Sequence, residues 1–225
     1  MPFGPCTRAR AQTVDNSYAA GVLSRTLIRV HWDRLFEDLE GQLAAEWEAE
    51  RAVLDAESER LRIARLGLRT RLRRLELDAA LVGLRMLDGE HRSVRVRVVG
   101  ADWIAAQPAD SSGALIVPLA SVTSIESTHG ALLATLEDAV LPADELRGRM
   151  TLGFLMRDLA RRRTPLHVAL RGGERLHGTV DRAGTDHLDL AVHDAGQARR
   201  ADAVRAFRII PFEALVSARM DGAVL

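Results

Sequence analysis

The sequence predicts an α+β protein: a long N-terminal helical arm followed by two tandem copies of one helix-plus-five-strand small barrel. Three observations carry this reading. From Trp32 to Leu75 the chain has no proline and is dense in Leu, Ala, Glu and Arg, all good helix formers. Two strand-rich stretches, "GEHRSVRVRVVGADWIAAQ" from Gly89 and "GERLHGTVDRAGTDHLDLAV" from Gly173, share their glycine punctuation. Both copies also close alike, with "IVPLASVTSI" (116–125) answering "IIPFEALVSA" (209–218).

Residues 1–28 are expected to be a disordered leader. Their most apolar run, "YAAGVLSRTLIRV", is broken by Arg25 and Arg29, which a secretory segment would not tolerate. The arm then spans 29–78, with Asp33 as its N-cap. Trp47, Leu54, Leu61, Leu68 and Leu75 recur every seven residues, with Leu39, Leu43 and Leu72 on or near that face, so the arm is a candidate coiled coil and these residues a candidate oligomerisation seam. Its charge is split: Glu37, Asp38, Glu40, Glu46, Glu48 and Glu50 precede Arg60, Arg62, Arg65, Arg69, Arg71, Arg73 and Arg74. An antiparallel partner, or a fold-back near Gly41 or Gly67, would bring opposite charges together. Three readings stay open: a helix lying on its own barrel, a self-association seam, or an arginine face for phosphate.

The first barrel is placed at 79–128, a linker and helix at 129–163, and the second barrel at 164–225. Gly89 matches Gly173, Gly100 matches Gly184 and Asp102 matches Asp186 without a gap, 84 positions apart. The second copy is nine residues longer before its matching proline (Pro118 and Pro211), an insertion that belongs in a loop. A helical segment with a basic end precedes each copy: "LGLRTRLRRL" (66–75) and "LGFLMRDLARRR" (152–163). Alternating Val94, Val96 and Val98, or Leu188, Leu190 and Val192, read as strands with one buried face, and Gly178 suits a bend inside the second strand. A helix followed by five short, bent strands makes an SH3-like barrel.

Within the second copy, "LHVALRGGERLHGTVDRAGTDHLDLAVHDAG" resembles the Sm-like barrels, the class that includes bacterial Hfq, and "IPFEALVSARM" resembles the C-terminal small barrel of the ribosome maturation factor RimP. The resemblance covers about 55 residues and extends to the first copy by analogy. It implies RNA or a ribonucleoprotein as partner and assembly through the fourth and fifth strands. Two departures remove the Sm uridine pocket from what it implies. Asp189 and Ala105 stand where Sm proteins place an RNA-contacting asparagine, and Ile210-Pro211-Phe212 and Val117-Pro118-Leu119 replace Hfq's basic segment. The opening "WDRLFEDLE" resembles that of proteins from high-GC bacteria, some labelled Fis-like regulators, although no helix-turn-helix pattern accompanies it.

Composition narrows the function classes. Thirty-one basic and 31 acidic side chains give a formal charge of zero, so any nucleic-acid or membrane attraction must come from a local patch. Every basic side chain apart from histidine is arginine. Cys6 is the single cysteine, which excludes an intrachain disulfide and a cysteine metal cage and fits a cytoplasmic setting. No run reaches the ~18–20 apolar residues that span a bilayer, so no membrane partner is expected. Phosphate-loop, dinucleotide, nucleophile-elbow and zincin motifs are missing. Neither catalysis nor a cofactor is expected, and no metal site is expected at His177, His187 and His193 with Asp186, Asp189 and Asp194. Trp103, Phe207 and Phe212 read as core fillers.

The best phosphate-facing patch is Arg161, Arg162 and Arg163 at a helix end with Arg199, Arg200, Arg205 and Arg208 beyond it. The reading that follows is a non-catalytic, oligomerising module that binds RNA or a ribonucleoprotein as a post-transcriptional regulator. The alternative is a protein-interaction scaffold or adaptor acting through the helical arm, as a homo-oligomer or with a helical protein partner.

Overall fold

The computed structural model describes residues 17–137, 146–196 and 199–220, with side chains at Trp32 and from Arg34 onward. The chain divides into two units, Met1–Ala64 and Arg65–Leu225. The first is built on one helix, α1 (Ser17–Ala64), 48 residues long. Residues 17–28 are therefore helical rather than leader, while 1–16 lie outside the described residues. Asp33 sits well inside the helix and is not its N-cap, because the alanines and leucines of 18–30 extend the helix backwards at one hydrogen bond per residue. The chain also runs straight through Gly41, with no fold-back there. Among the described residues no helix is long and apolar enough to cross a membrane.

The second unit begins where the expected arm should have continued. Gly67, extended at φ −76° and ψ 150°, starts a separate helix, α2 (Leu68–Leu77). Leu72 and Leu75 of α2 are buried in the core of the body, so the arm ends at Ala64 and not at residue 78. Burying two leucines is worth roughly 1.5–3 kcal/mol each, enough to win α2 away from a continuous helix.

The strands that follow are β1 (Leu81–Met86), β2 (His91–Val99), β3 (Trp103–Pro108), β4 (Ala114–Pro118) and β5 (Val122–Glu126). Short helices α3 (His129–Ala134) and α4 (Leu146–Arg149) lead to α5 (Leu152–Arg162). Then come β6 (Pro165–Leu170), β7 (Arg175–Ala183), β8 (His187–Val192), β9 (Ala206–Pro211) and β10 (Leu215–Met220). All ten strands form one antiparallel sheet in the order β5-β1-β2-β3-β4-β10-β6-β7-β8-β9.

Each half of that sheet repeats one order, fifth strand, first, second, third, fourth, and the halves join where β4 pairs with β10. The register there is Ala218 opposite Ile116, Arg219 opposite Leu115 and Met220 opposite Ala114. Two tandem five-stranded barrels are the expectation from sequence; the ten strands instead form one sheet that stays open, with β5 and β9 at its ends. The second edge of β4 goes to β10 and not back to β5, so neither half closes through its own strands.

The repeat holds at the level of single bonds. Gly100 N donates to Trp103 O and Gly184 N to His187 O, each at 2.9 Å. Leu119 N donates to Asp102 O at 2.9 Å, and Phe212 N to Asp186 O at 2.7 Å. A Cβ on Gly100 would stand 2.4 Å from Trp103 Nε1, and one on Gly184 would stand 2.6 Å from His187 Cε1. In both copies the glycine leaves room for a ring three residues on, which is why the sequence match lies on glycine. Ala79 and Arg163, the matching helix exits, share a left-handed backbone at φ 47° and 51°.

Two cores result, and the halves exchange side chains between them. Leu72 and Leu75 pack with Val82, Leu84, Val94 and Ile104. Met156 and Leu159 of α5 pack with Leu166, Val180, Leu188 and Leu190. Trp103, Ala105, Ala114 and Ile116 of the first half enter the second core, and Val216 of the second half enters the first.

Candidate functional site

Five of the seven arginines expected to face phosphate are engaged by carboxylates. Arg161 and Arg162 reach the two oxygens of Asp158 at 2.9 and 2.7 Å, one turn back on α5. Arg199 holds Asp181 through two nitrogens, Arg205 holds Asp194, and Arg208 lies 3.0 Å from Glu174. The Asp181 carboxylate raises the pKa of Arg199 further above its ordinary value. Arg163 forms the left-handed helix exit, and Arg200 is exposed. The patch therefore carries little net positive charge, and a phosphate would have to displace existing partners.

The seven-residue stripe is divided. Trp47, Leu54 and Leu61 are exposed on α1, Leu68 opens α2 and is half-exposed, and Leu75 is a core residue. The last of these cannot serve an oligomerisation seam, because α2 packs that side on the sheet. The exposed apolar series on α1 instead runs through Trp32, Phe36, Leu39 and Leu43 before reaching Trp47 and Leu54.

Trp103 fills the core as expected: it is 1% exposed, and its Nε1 donates to Met150 O at 2.9 Å. Asp102 beside it accepts at Oδ1 from Leu152 N, 2.7 Å away, satisfying an otherwise open donor at the start of α5. The matching turn in the second half has no such engagement. Asp186 Oδ1 meets His187 Nδ1 at 2.7 Å on the surface, and that bond holds the Asp186 carboxyl below its ordinary pKa. Phe207 is exposed, against the expectation of core filling, whereas Phe212 is half-buried and packs against the second core.

A cleft of about 420 Å³ opens where the two halves join. Its polar wall brings Glu90 and Arg92 from the first half together with His167, Arg175, His177 and Arg219 from the second. Glu90 takes both Arg92, at 2.7 Å, and Arg175. Within this wall the His167 and His177 rings lie 4.6 Å apart at an interplanar angle of 55°, and His193 meets His177 edge-on at 5.0 Å. His193 is buried. Its Nδ1 faces the carbonyl of Asp194 at 3.0 Å, an acceptor that fixes the proton there and leaves Nε2 to accept from the Thr179 hydroxyl at 2.9 Å. His177 Nδ1 likewise donates to His193 O at 3.1 Å.

His187 lies apart from this group on its turn, and among the described residues no three His, Cys, Asp or Glu side chains converge in a metal-holding cluster. The cleft was not legible in the sequence. Its arginines sit in separate copies, and only the β4–β10 pairing makes them neighbours.

Comparison with protein-family models, with curated proteins and with solved structures finds no match to this chain.

Proposed function

We propose that this protein is a non-catalytic interaction scaffold of the cytoplasm, in which two Sm-like halves form the body and the N-terminal helix is the docking surface for a partner helix. One observation carries the reading. Trp32, Phe36, Leu39, Leu43, Trp47 and Leu54 of α1 are 44–69% exposed. A large apolar side chain gains roughly 1.5–3 kcal/mol on full burial, so six along one helix amount to a strong driving force for association. The acidic run 37–50 directs partner choice toward a basic helix.

The expected result is that Leu43→Asp/Trp47→Asp in the full chain abolishes recovery of the helical partner by crosslinking in cells, while far-UV circular dichroism is unchanged. Unchanged partner recovery would overturn the reading.

A second reading, binding of RNA or a ribonucleoprotein, is supported by the cleft at the join, where Arg92, Arg175 and Arg219 outnumber Glu90. Here Arg175→Glu is expected to weaken RNA binding at low salt and to flatten its salt dependence, since each lost phosphate contact lowers the slope of log K against log salt by about 0.7 for a single strand. An unchanged slope in a filter-binding titration excludes the cleft as the site.

A further inference from the structure

The two halves set the same three strands side by side and load them with opposite chemistry. In the first half Ser93, Gly83 and Glu126 face one another across β2, β1 and β5. The same row in the second half is His177, His167 and Arg219, across β7, β6 and β10. Two residues along, on the same face, His91, Arg85 and Ser124 are answered by Arg175, Ala169 and Ser217.

The first half satisfies its own charges. Glu126 takes Arg85 at 3.3 Å and lies 3.5 Å from His91, so a carboxylate of the chain sits among the groups that face it. In the second half the glutamate position holds Arg219 and the arginine position holds Ala169. The six positions then contain no carboxylate, and the central long side chain is reduced to a methyl group. All six residues of the second half line the cleft of about 420 Å³ at the join. Folding does not require these exchanges, since the first half closes the same positions with an ion pair.

We propose that this cleft binds a small organic phosphate monoester, whose dianion lies over Ala169 between Arg175 and Arg219. Those two arginines stand on the strands flanking β6, two strand spacings or roughly 10 Å apart, a gap that two extended guanidinium side chains close on one anion. The buried Ser217 and the neighbouring His167 bring further donors from β10 and β6, so donors converge from three strands. A phosphate offers three oxygens to donors that do not share a plane; a carboxylate offers two in one plane, which a single arginine fork satisfies.

Among the lining residues Glu90 is the one carboxylate, and it holds Arg92 and Arg175. Three arginines against it leave a surplus of two positive charges, which the dianion matches. Leu115, Leu176 and Ala195 give the lining an apolar part for the uncharged body of the ligand, and the volume is that of a small-molecule site. Arg219 is paired on its other side with Leu115 of β4, so the site exists only where the halves join. The inference rests on the cleft being an anion site, as the RNA reading does, but assigns a different ligand, and it is independent of the arm.

The test titrates the full chain with phenyl phosphate at low salt, followed by phosphorus NMR. Saturable binding is expected with a Kd of about 1 mM or tighter. Ala169→Arg/Arg219→Glu, which gives the second half the residues of the first, and Arg219→Gln, which removes one charge, are each expected to weaken it at least about tenfold, with far-UV circular dichroism unchanged. Arg51→Glu, a charge reversal on α1 outside the cleft, is expected to leave the affinity as it is. Benzoate, the same ring with a carboxylate, is expected to bind at least about tenfold more weakly than phenyl phosphate. No saturation by about 10 mM phenyl phosphate, equal affinity in the parent and both cleft variants, or tighter binding of benzoate overturns the proposal. A single RNA strand of about 20 nucleotides without terminal phosphates separates the two ligands of the cleft. If it fails to bind while phenyl phosphate does, the RNA reading alone fails; if it displaces phenyl phosphate and loses affinity equally in Arg219→Gln, the cleft belongs to RNA and the monoester is excluded.

Discussion

Trp103→Ala is expected to lower the free energy of unfolding by about 3–5 kcal/mol, read from urea denaturation of the full chain. The side chain is among the largest fully buried ones, it is shared between halves, and its Nε1 is satisfied by Met150 O at 2.9 Å. Removal leaves a cavity between β3 and α5 and takes one of two donors from Met150 O, which keeps its bond from Ala101 N at 3.0 Å. Trp103→Phe keeps most of the apolar contact but not the hydrogen bond, so it should fall between the parent and alanine. The repeat supplies its own control. His187 occupies the matching position, packs over the matching glycine and is only partly buried, so His187→Ala in dilute protein should cost less than about 0.5 kcal/mol. Equal losses at the two positions would contradict the asymmetric join.

Gly178→Val is expected to destabilise by at least about 2 kcal/mol even though it installs the residue that the first copy carries at the matching position, Val94. A Cβ at Gly178 would sit 2.3 Å from Ala191 O and 3.0 Å from Ala191 C, both backbone atoms of the paired strand β8. Neither atom can swing aside like a side-chain tip, so β7 and β8 must separate locally and lose ladder hydrogen bonds. Val94 meets no such approach: it is fully buried in the first core, opposite Pro108 at the end of β3. Thermal unfolding of the variant checks this, and an unchanged midpoint would mean that β7 and β8 do not lie as close as described.

Much of the fold was legible because it is written in local terms. The 84-residue offset of Gly100 and Gly184 is kept because each glycine must admit a ring three residues later. Helix-forming composition likewise announces α1, α2 and α5 without reference to the rest of the chain. The errors came where local signals were indifferent. A seven-residue leucine stripe continues through Gly67 as if the helix did, yet Leu75 belongs to a core completed by β1, β2, β3, β4 and Val216 of β10. Residues 17–28 joined α1 because extending a helix already nucleated requires no further partner.

For the candidate sites the balance reverses. An arginine's worth to an anion depends on which carboxylate lies beside it in space, and Asp181 and Asp194 came from other strands and loops to neutralise Arg199 and Arg205. The sequence by itself determined the α+β class, the duplication, the turn glycines and the apolar spacing of Trp47, Leu54 and Leu61 on α1, since these rest on side-chain periodicity and backbone conformation. The tertiary structure alone decided that β4 joins β10, that a cleft forms at that join, and that among the described residues β5 and β9 end the sheet. Those outcomes depend on which of several equivalent strand edges meet, and a hydrogen-bonded edge carries the same donors and acceptors whatever its sequence.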